Sequence, residues 1–453
     1  MKRPLLFKFL AIGLLMLLLL IPVGMIGNSI DERRSYSEKV VRDIASSSAR
    51  SQTFTGPVLV VPYSKIERTW TVDAKKGRVA EERTITGEFH FLPDVFRVNG
   101  DVTTELRKLG IYSARLYHLD TQVDGHFLVP LNYGIKTDVA DYTFQKPYIA
   151  VGISDIRGIK NSLQLQLDKQ TYEFEPGSEL KILGDGVHAG FPLDVLQSVN
   201  EQPKKLDFSF KLLLDGTEQL HFSPIGKETH VELQSDWPHP RFSGNFLPVE
   251  RGVTKTGFSA RWQTSYFSTN FSEYFYSCVS GIQCDQIQQR NFGVSLIDPV
   301  NQYVKSDRAI KYALLFIALT FASFFLFEVL KRLQIHPVQY GLVGMALALF
   351  YLLLLSLAEH IGFALAYGIS SAACVFLIGF YVSHVLQSIW RGIGFSSGLG
   401  FLYALLYGLL SAEDYALLMG SLLLFVLLGV FMMLTRKVDW YALGAGKAEA
   451  AKE

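Results

Sequence analysis

The residues best placed for chemistry in this 453-residue chain are a glutamate and a histidine side by side, Glu359 and His360, in the stretch LSLAEHIGFALAY between two long apolar runs. A carboxylate beside an imidazole could handle protons inside a membrane, because histidine titrates near neutral pH. Such a site needs the pair at membrane depth next to a further ionisable group, since an intramembrane charge costs about 2.5 kcal/mol or more. No such partner is visible at mid-span. The expectation is therefore the quieter one: Glu359 and His360 form the polar turn of a helical hairpin at the membrane surface, and are kept as functional candidates only.

Other chemistries have less to stand on. Seven histidines lie between residues 28 and 308, at 90, 118, 126, 188, 221, 230 and 239, and no two have the HExxH spacing of a zinc site. No glycine loop for phosphates is present. The expectation is a non-enzyme without catalytic residues, metal or cofactor. Ser235 to Pro240 reads SDWPHP, which suits a rigid sheet corner. Cys278 and Cys284 bracket five residues and can close a small disulfide loop on an oxidising side of the membrane. Cys374 falls in an apolar run and is expected to be buried and unpaired.

These residues need elements to hold them, and composition divides the chain into two kinds of region. It is 49% hydrophobic and 13% aromatic, with a mean hydropathy of +0.22. Of its 43 basic and 42 acidic residues, 32 and 35 respectively lie between 28 and 308, while 309 to 434 hold only eight charges. The middle is soluble and the tail belongs in a membrane. A slightly acidic middle offers no basic field for nucleic acid, which is excluded as a partner.

Leu5 to Gly27 is interrupted only by Lys8 and is long enough to span as an uncleaved anchor, within which Pro22 is tolerated. Apolar stretches at roughly 309–330, 338–358, 361–383, 395–412 and 415–434 bring the expected spans to six. Lys2, Arg3, Lys8, Lys331, Arg332, Arg391, Arg436 and Lys437 then fall on one side, and Glu359-His360 and Glu413-Asp414 on the other. By the positive-inside rule both termini are cytoplasmic and residues 28–308 periplasmic. The expected domains are an anchor at 1–30, a periplasmic β-rich domain at 31–308, a five-helix bundle at 309–435 and a short cytoplasmic tail at 436–453. Within the bundle, Glu328 is expected to pair with Arg332 at the inner interface. His384 and Gln387 approach the inner end of span four. Gly394 and Gly398, with Gly400, match the small-xxx-small spacing of a helix packing face.

The soluble part has the period of strands. NSLQLQLDKQTYEFEP alternates at Leu163, Leu165, Leu167, Tyr172 and Phe174; LDFSFKLLLDGTEQLHF alternates on both sides of Asp215-Gly216. Both read as hairpins. About 280 residues can bury one sandwich-like core or two smaller ones. Residues 31–50 continue the anchor as a helix with Val40, Val41 and Ile44 on one stripe.

GPVLVVP at 56–62, FHFLP at 89–93, GIYSA at 110–114, ISDIRGI at 153–159, SDWPHPRFSGNFLP at 235–248, GFSARW at 257–262, the runs at 307–328 and 336–367, and DWY at 439–441 together resemble the CreD-type inner-membrane proteins of Gram-negative bacteria. The cysteine loop lies outside that pattern. The resemblance implies a bacterial inner-membrane protein concerned with cell-envelope integrity, in a regulon under a sensor kinase and response regulator, with links to colicin tolerance and β-lactam response. It implies no catalytic residue. Two functions of different class follow: a non-enzymatic envelope factor whose β domain binds or supports an envelope protein or lipid, or a transporter or flippase-like protein with a periplasmic receiving domain. A polar cavity among the spans would favour the second, and a dry bundle the first.

Overall fold

The computed structural model describes residues 4–73, 77–136, 138–196, 202–282, 284, 287, 289–296, 302–331, 335–411 and 416–436. The chain divides into two compact units, Met1–Glu38 with Val300–Glu453, and Lys39–Pro299. Helix α1 (Pro4–Ser47) contributes to both. Its extension beyond the anchor buries Val40 and Ile44 and leaves Val41, also expected on that stripe, half-buried.

Two sheets build the Lys39–Pro299 unit. One has nine strands, in the order Arg241–Gly244, Phe292–Ser295, Gln219–Phe222, Gln52–Asp73, Tyr148–Ile153, Gly186–Gly190 and Glu175–Pro176, with Gly77–Phe91 and Tyr142–Phe144 paired beside Gln52–Asp73. The other has eight, in the order Glu250–Thr254, Gly257–Ser265, Glu228–Ser235, Val95–Leu109, Tyr112–Val129, Lys204–Thr217, Gln164–Leu167 and Gln170–Glu173. Their inward side chains form one hydrophobic cluster. Phe54 of the first sheet, for instance, stacks on Phe96 and Phe210 of the second at centroid distances of 6.0 and 6.4 Å.

Alternation explains this arrangement. On Lys204–Thr217 the residues Leu206, Phe208, Phe210, Leu212 and Leu214 are at most 3% exposed. Each such side chain contributes roughly 1.5 to 3 kcal/mol on burial. A one-residue slip would turn all five to solvent, so the register is firmly set. The hairpin expected over 163–174 is present, with Leu167 opposite Gln170.

The hairpin expected around Asp215-Gly216 is not. Both residues stay within Lys204–Thr217, opposite His118 and Tyr117, and the chain then leaves for the other sheet. Glu218, at φ 63°, makes the corner. Alternation is the same for a strand that returns and one that crosses between sheets, so the sequence pattern could not separate them. Gly216 is small for another reason: a Cβ there would meet the Tyr117 hydroxyl at 2.3 Å. That buried hydroxyl donates to the Gln219 carbonyl at 2.8 Å and holds the corner closed. Two short helices, α2 (Tyr266–Thr269) and α3 (Phe271–Val279), follow the strand Gly257–Ser265.

The other unit is helical: α1, α4 (Gln302–Lys311), α5 (Ala313–Lys331), α6 (Pro337–Ile361), α7 (Phe363–Val385), α8 (Ile389–Ser411) and α9 (Ala416–Thr435). Among the described residues α1, α6, α7 and α8 are each long and apolar enough to cross a membrane. The pair α4–α5, bent by 45°, adds a fifth if taken as one span. Pro337 starts α6 behind His336, whose side chain accepts from the Val338 amide, and Gly362 at φ 81° breaks the chain between α6 and α7. Gly344 lets α6 close on its neighbours, since a Cβ there would meet Leu19 at 2.3 Å and Phe321 at 2.8 Å.

Candidate functional site

Two clusters of polar side chains tie α1 to the rest of its unit. Lys8 and Arg33 lie 25 positions apart on α1, about 37 Å at the 1.5 Å rise of a helix. That exceeds the roughly 30 Å hydrocarbon core and falls short of the full bilayer thickness. That spacing would let the two clusters sit at opposite edges of an apolar layer, where a charge costs less than at its centre.

The first cluster centres on Glu328 of α5, whose side chain is 8% exposed. It pairs with Lys8 through Oε1, accepts from the Ile335 amide at 3.2 Å, and accepts at Oε2 from the Tyr340 hydroxyl at 2.9 Å. The expected partner, Arg332, lies outside the described residues. Helical i,i+4 spacing makes a neighbour available, but a buried carboxylate also needs partners in three dimensions, and here α1 and α6 supply them.

The second cluster centres on Glu359. Glu359 and His360 belong to the last turn of α6, and the turn expected of them is made by Gly362. The Glu359 side chain is 8% exposed, accepts from the Tyr303 hydroxyl of α4 at 3.1 Å, and lies 3.9 Å from Arg33 Nε. His360 is exposed and has Nδ1 3.0 Å from the Ser356 carbonyl of its own helix. Neighbouring helical residues point about 100° apart, so this pair is divided: one side chain faces the bundle and the other leaves it. His360 is open to solvent, whereas Glu359 is held by Tyr303 and Arg33.

Between the clusters the interior is aromatic. Phe350 lies 4.7 Å from Tyr403 and 5.5 Å from Tyr367, and Phe316 lies 4.6 Å from Tyr403. The Tyr367 hydroxyl donates to the Tyr403 carbonyl at 2.7 Å, and the Tyr403 hydroxyl to Cys374 Sγ at 3.2 Å. Cys374 is a buried free thiol. A cavity of about 210 Å³ beside α5, α8 and α9 is lined by Leu319, Phe327, Phe395, Leu399 and Val430, together with Gly394 and Gly398. These two glycines were expected to pack against a helix, yet nothing lies within 4 Å of a Cβ built on either. The close approaches fall at Gly392, against Ser383, and Gly379, against Ser396. Spacing identifies a smooth face without saying which neighbour uses it. His384 is exposed in the last turn of α7, and Gln387 follows at φ 49°.

In the β-rich unit, Asp155 and Arg157 hold the end of α1. Arg157 Nη1 donates to the Ser46 carbonyl at 2.6 Å, while its Nε and Nη2 donate to Asp155 at 2.9 and 2.6 Å. Asp155 also accepts from the Arg50 amide, and the hydrogen bond from Arg157 is the chief reason its carboxyl titrates below the usual range. Thr217 donates to the Ala49 carbonyl at 2.6 Å. ISDIRGI is thus a helix-docking loop, and Gly158 within it leaves no room for a Cβ between Asp215 and Gln52.

Of the candidate histidines, His118 sits between carboxylates, Nδ1 2.6 Å from Asp215 and Nε2 3.2 Å from Glu105. The hydrogen bond with Asp215, above all, raises its pKa. His90 and His221 are lowered, first by burial. Among the described residues no three His, Cys, Asp or Glu side chains are grouped so as to hold a metal. Cys278 and Cys284 are joined by a disulfide with Cα atoms 4.6 Å apart. In the SDWPHP corner, Trp237 Nε1 donates to the His239 carbonyl at 2.9 Å, and Arg115 stacks 3.8 Å over the Trp237 ring.

Sequence reasoning missed Lys8 and Arg33. The signal was present, since Lys8 is the only charge inside the first span and Glu328 the only acidic residue inside the second, at the same end when the chain alternates.

Several apolar helices with a large β-rich unit define a multi-pass membrane protein. The family model described as inner membrane protein CreD matches residues 4–441. Inner membrane protein CreD of Escherichia coli (strain K12) is 37% identical over 454 residues, covering 100% of this chain and 97% of that protein. The chain belongs to the CreD family of inner membrane proteins.

Proposed function

We propose that the protein is a non-enzymatic factor of the bacterial cell envelope. Six spans, with both termini cytoplasmic, hold residues 28–308 in the periplasm as a sandwich-like β domain. That domain binds or supports an envelope protein or lipid, in the envelope response that the family resemblance implies. The observation that carries this reading is the state of the charges in the helical unit: Glu328 and Glu359 are each occupied by a cation and a tyrosine hydroxyl. A carboxylate held in that way staples helices and is poorly placed to exchange protons or bind a solute. The apolar cavity beside α5, α8 and α9 points the same way.

A second reading, transport or lipid flipping, draws on one specific feature. The Tyr351 hydroxyl and Ser370 Oγ are buried and have no hydrogen-bond partner among the described residues. Native Cys374 separates the two readings, because it lies in the same aromatic interior and the other cysteines are bridged. In the folded protein in membranes, small hydrophilic thiol reagents should leave Cys374 unmodified from either side. Modification from both sides would establish a water path through the bundle and favour transport.

A further inference from the structure

Val95–Leu109 and Tyr112–Val129 form a hairpin that outruns its sheet. The neighbouring strand on one side stops at Ser235, opposite Val102, and the one on the other side at Thr217, opposite Leu116. From Leu106 opposite Arg115 to Leu109 opposite Tyr112, the two strands pair only with each other among the described residues. A two-residue turn closes them, and its first member, Gly110, has φ 63°. Tyr112 and Ala114 are buried, so the ribbon is held on one face. Its tip is not covered: every residue from Glu105 to Ile111 is exposed, with Leu106, Leu109 and Ile111 at 42, 56 and 39%. Arg107 and Lys108 stand between the two leucines, and Glu105, 3.8 Å from Arg107, is the one acid among residues 105–115. Apolar side chains open to water at the end of an unsupported ribbon are a liability unless something covers them.

The path of the chain points to the cover. At the root of the ribbon the Thr217 amide donates to the Arg50 carbonyl at 3.2 Å, the Glu218 amide to the Arg115 carbonyl at 3.2 Å, and the Leu296 amide to the Glu218 carbonyl at 2.7 Å. The chain thus enters from α1 and leaves toward Pro299 at the same end of the β-rich unit from which the ribbon projects. Both connections lead to membrane-spanning helices. From Leu116 to Gly110 the ribbon reaches about 20 Å at about 3.4 Å per residue. Between Ile30, the last apolar residue before the charged run DERR, and Ser47, α1 spans about 25 Å at 1.5 Å per residue. The headgroup layer, about 5 to 7 Å deep on each side of the hydrocarbon, closes the difference.

We propose that the 106–111 tip is a membrane-docking element: Leu106, Leu109 and Ile111 seat among the headgroups of an anionic lipid surface, and Arg107 and Lys108 meet the lipid phosphates. This requires only that the helical unit spans the membrane. It is independent of which side the β-rich unit faces and of whether the protein is an envelope factor or a transporter.

The test uses the full-length protein in nanodiscs containing phosphatidylglycerol and lipids that carry a nitroxide quencher near the headgroup. Leu109→Cys, in a Cys374→Ala background, carries an environment-sensitive fluorophore; Ile111→Cys is a second reporter should the first disturb the fold. Lys169→Cys, exposed in the turn between Gln164–Leu167 and Gln170–Glu173 at the other end of the sheet, is the control. Quenching at 109 should exceed that at 169 several-fold. Adding Arg107→Gln and Lys108→Gln should weaken docking by about fivefold for each cation removed, the effect of one lysine or arginine beside an anionic surface. Equal, weak quenching at 109, 111 and 169 would overturn the proposal and leave the tip to a protein partner. Quenching that the two glutamines leave unchanged would overturn the assignment to an anionic surface. A reversed orientation or a transport activity would alter neither result, so those failures are distinguishable from this one.

Discussion

Replacing Lys8 by methionine removes one member of the Lys8–Glu328 pair while keeping most of the side-chain volume. Glu328, 8% exposed, would then retain the Tyr340 hydroxyl and the Ile335 amide but no counter-charge. Removing one partner of a buried ion pair typically costs about 3 to 5 kcal/mol, because the other charge stays buried and uncompensated. Even the lower figure is about a hundredfold in the unfolding equilibrium. Glu328→Gln keeps an acceptor for Tyr340 and strands a lysine that, at 18% exposure, is better able to reach the interface, so it should cost less. The double substitution leaves no unpaired charge and should be markedly more stable than the sum of the single losses implies. Unfolding of the purified protein by increasing SDS in mild-detergent micelles measures all four forms of the cycle. Losses that add to within about 0.5 kcal/mol would mean that the two residues do not interact, and would refute the view of the helical unit as held by paired charges.

Three further outcomes follow from the same structure. A cysteine at position 360 should react with a membrane-impermeant thiol reagent from the periplasm and one at 334 should not; reversed labelling would invert the orientation. His118 has a raised pKa, so its contacts with Asp215 and Glu105 stabilise the fold fully below its ordinary value of 6.5 and fade as pH rises through the higher folded value. The stability difference between wild type and His118→Gln should therefore shrink from mildly acidic to mildly alkaline pH, and a difference that grows instead would contradict the assignment. Replacing Cys278 and Cys284 together should leave the β unit folded, with a loss of about 2 kcal/mol at most for so short a loop; loss of the fold would show that the bridge matters far more than loop closure allows.

The elements were far more legible in the sequence than their contacts. Apolar length located four helices long and apolar enough to span, because hydrocarbon thickness sets helix length, and α6 and α7 end within a few residues of the stretches read from composition. Strand alternation found the inward faces, but it was silent on the crossing at Glu218, where a positive φ on a non-glycine residue carries no pattern. The same limit explains Glu359. Its neighbours Tyr303 and Arg33 are 56 and 326 positions away, and periodicity reports only the facing of a residue within its own element. Gly394 and Gly398 were legible as a smooth surface, and their partner was not. ISDIRGI was legible only as a family feature, and its role in capping α1 needed the fold.

The most direct test of a stapled, non-catalytic bundle is complementation by a Glu359→Gln, His360→Asn double variant in a strain lacking the protein, with membrane levels measured alongside. Glutamine can still accept from Tyr303, and Arg33, 53% exposed, can turn to water. Neither new side chain can carry a proton near neutral pH. The account predicts normal insertion, modestly lower stability and retained envelope function. Complete loss of function at normal membrane levels would contradict it and make Glu359 and His360 a proton-handling site.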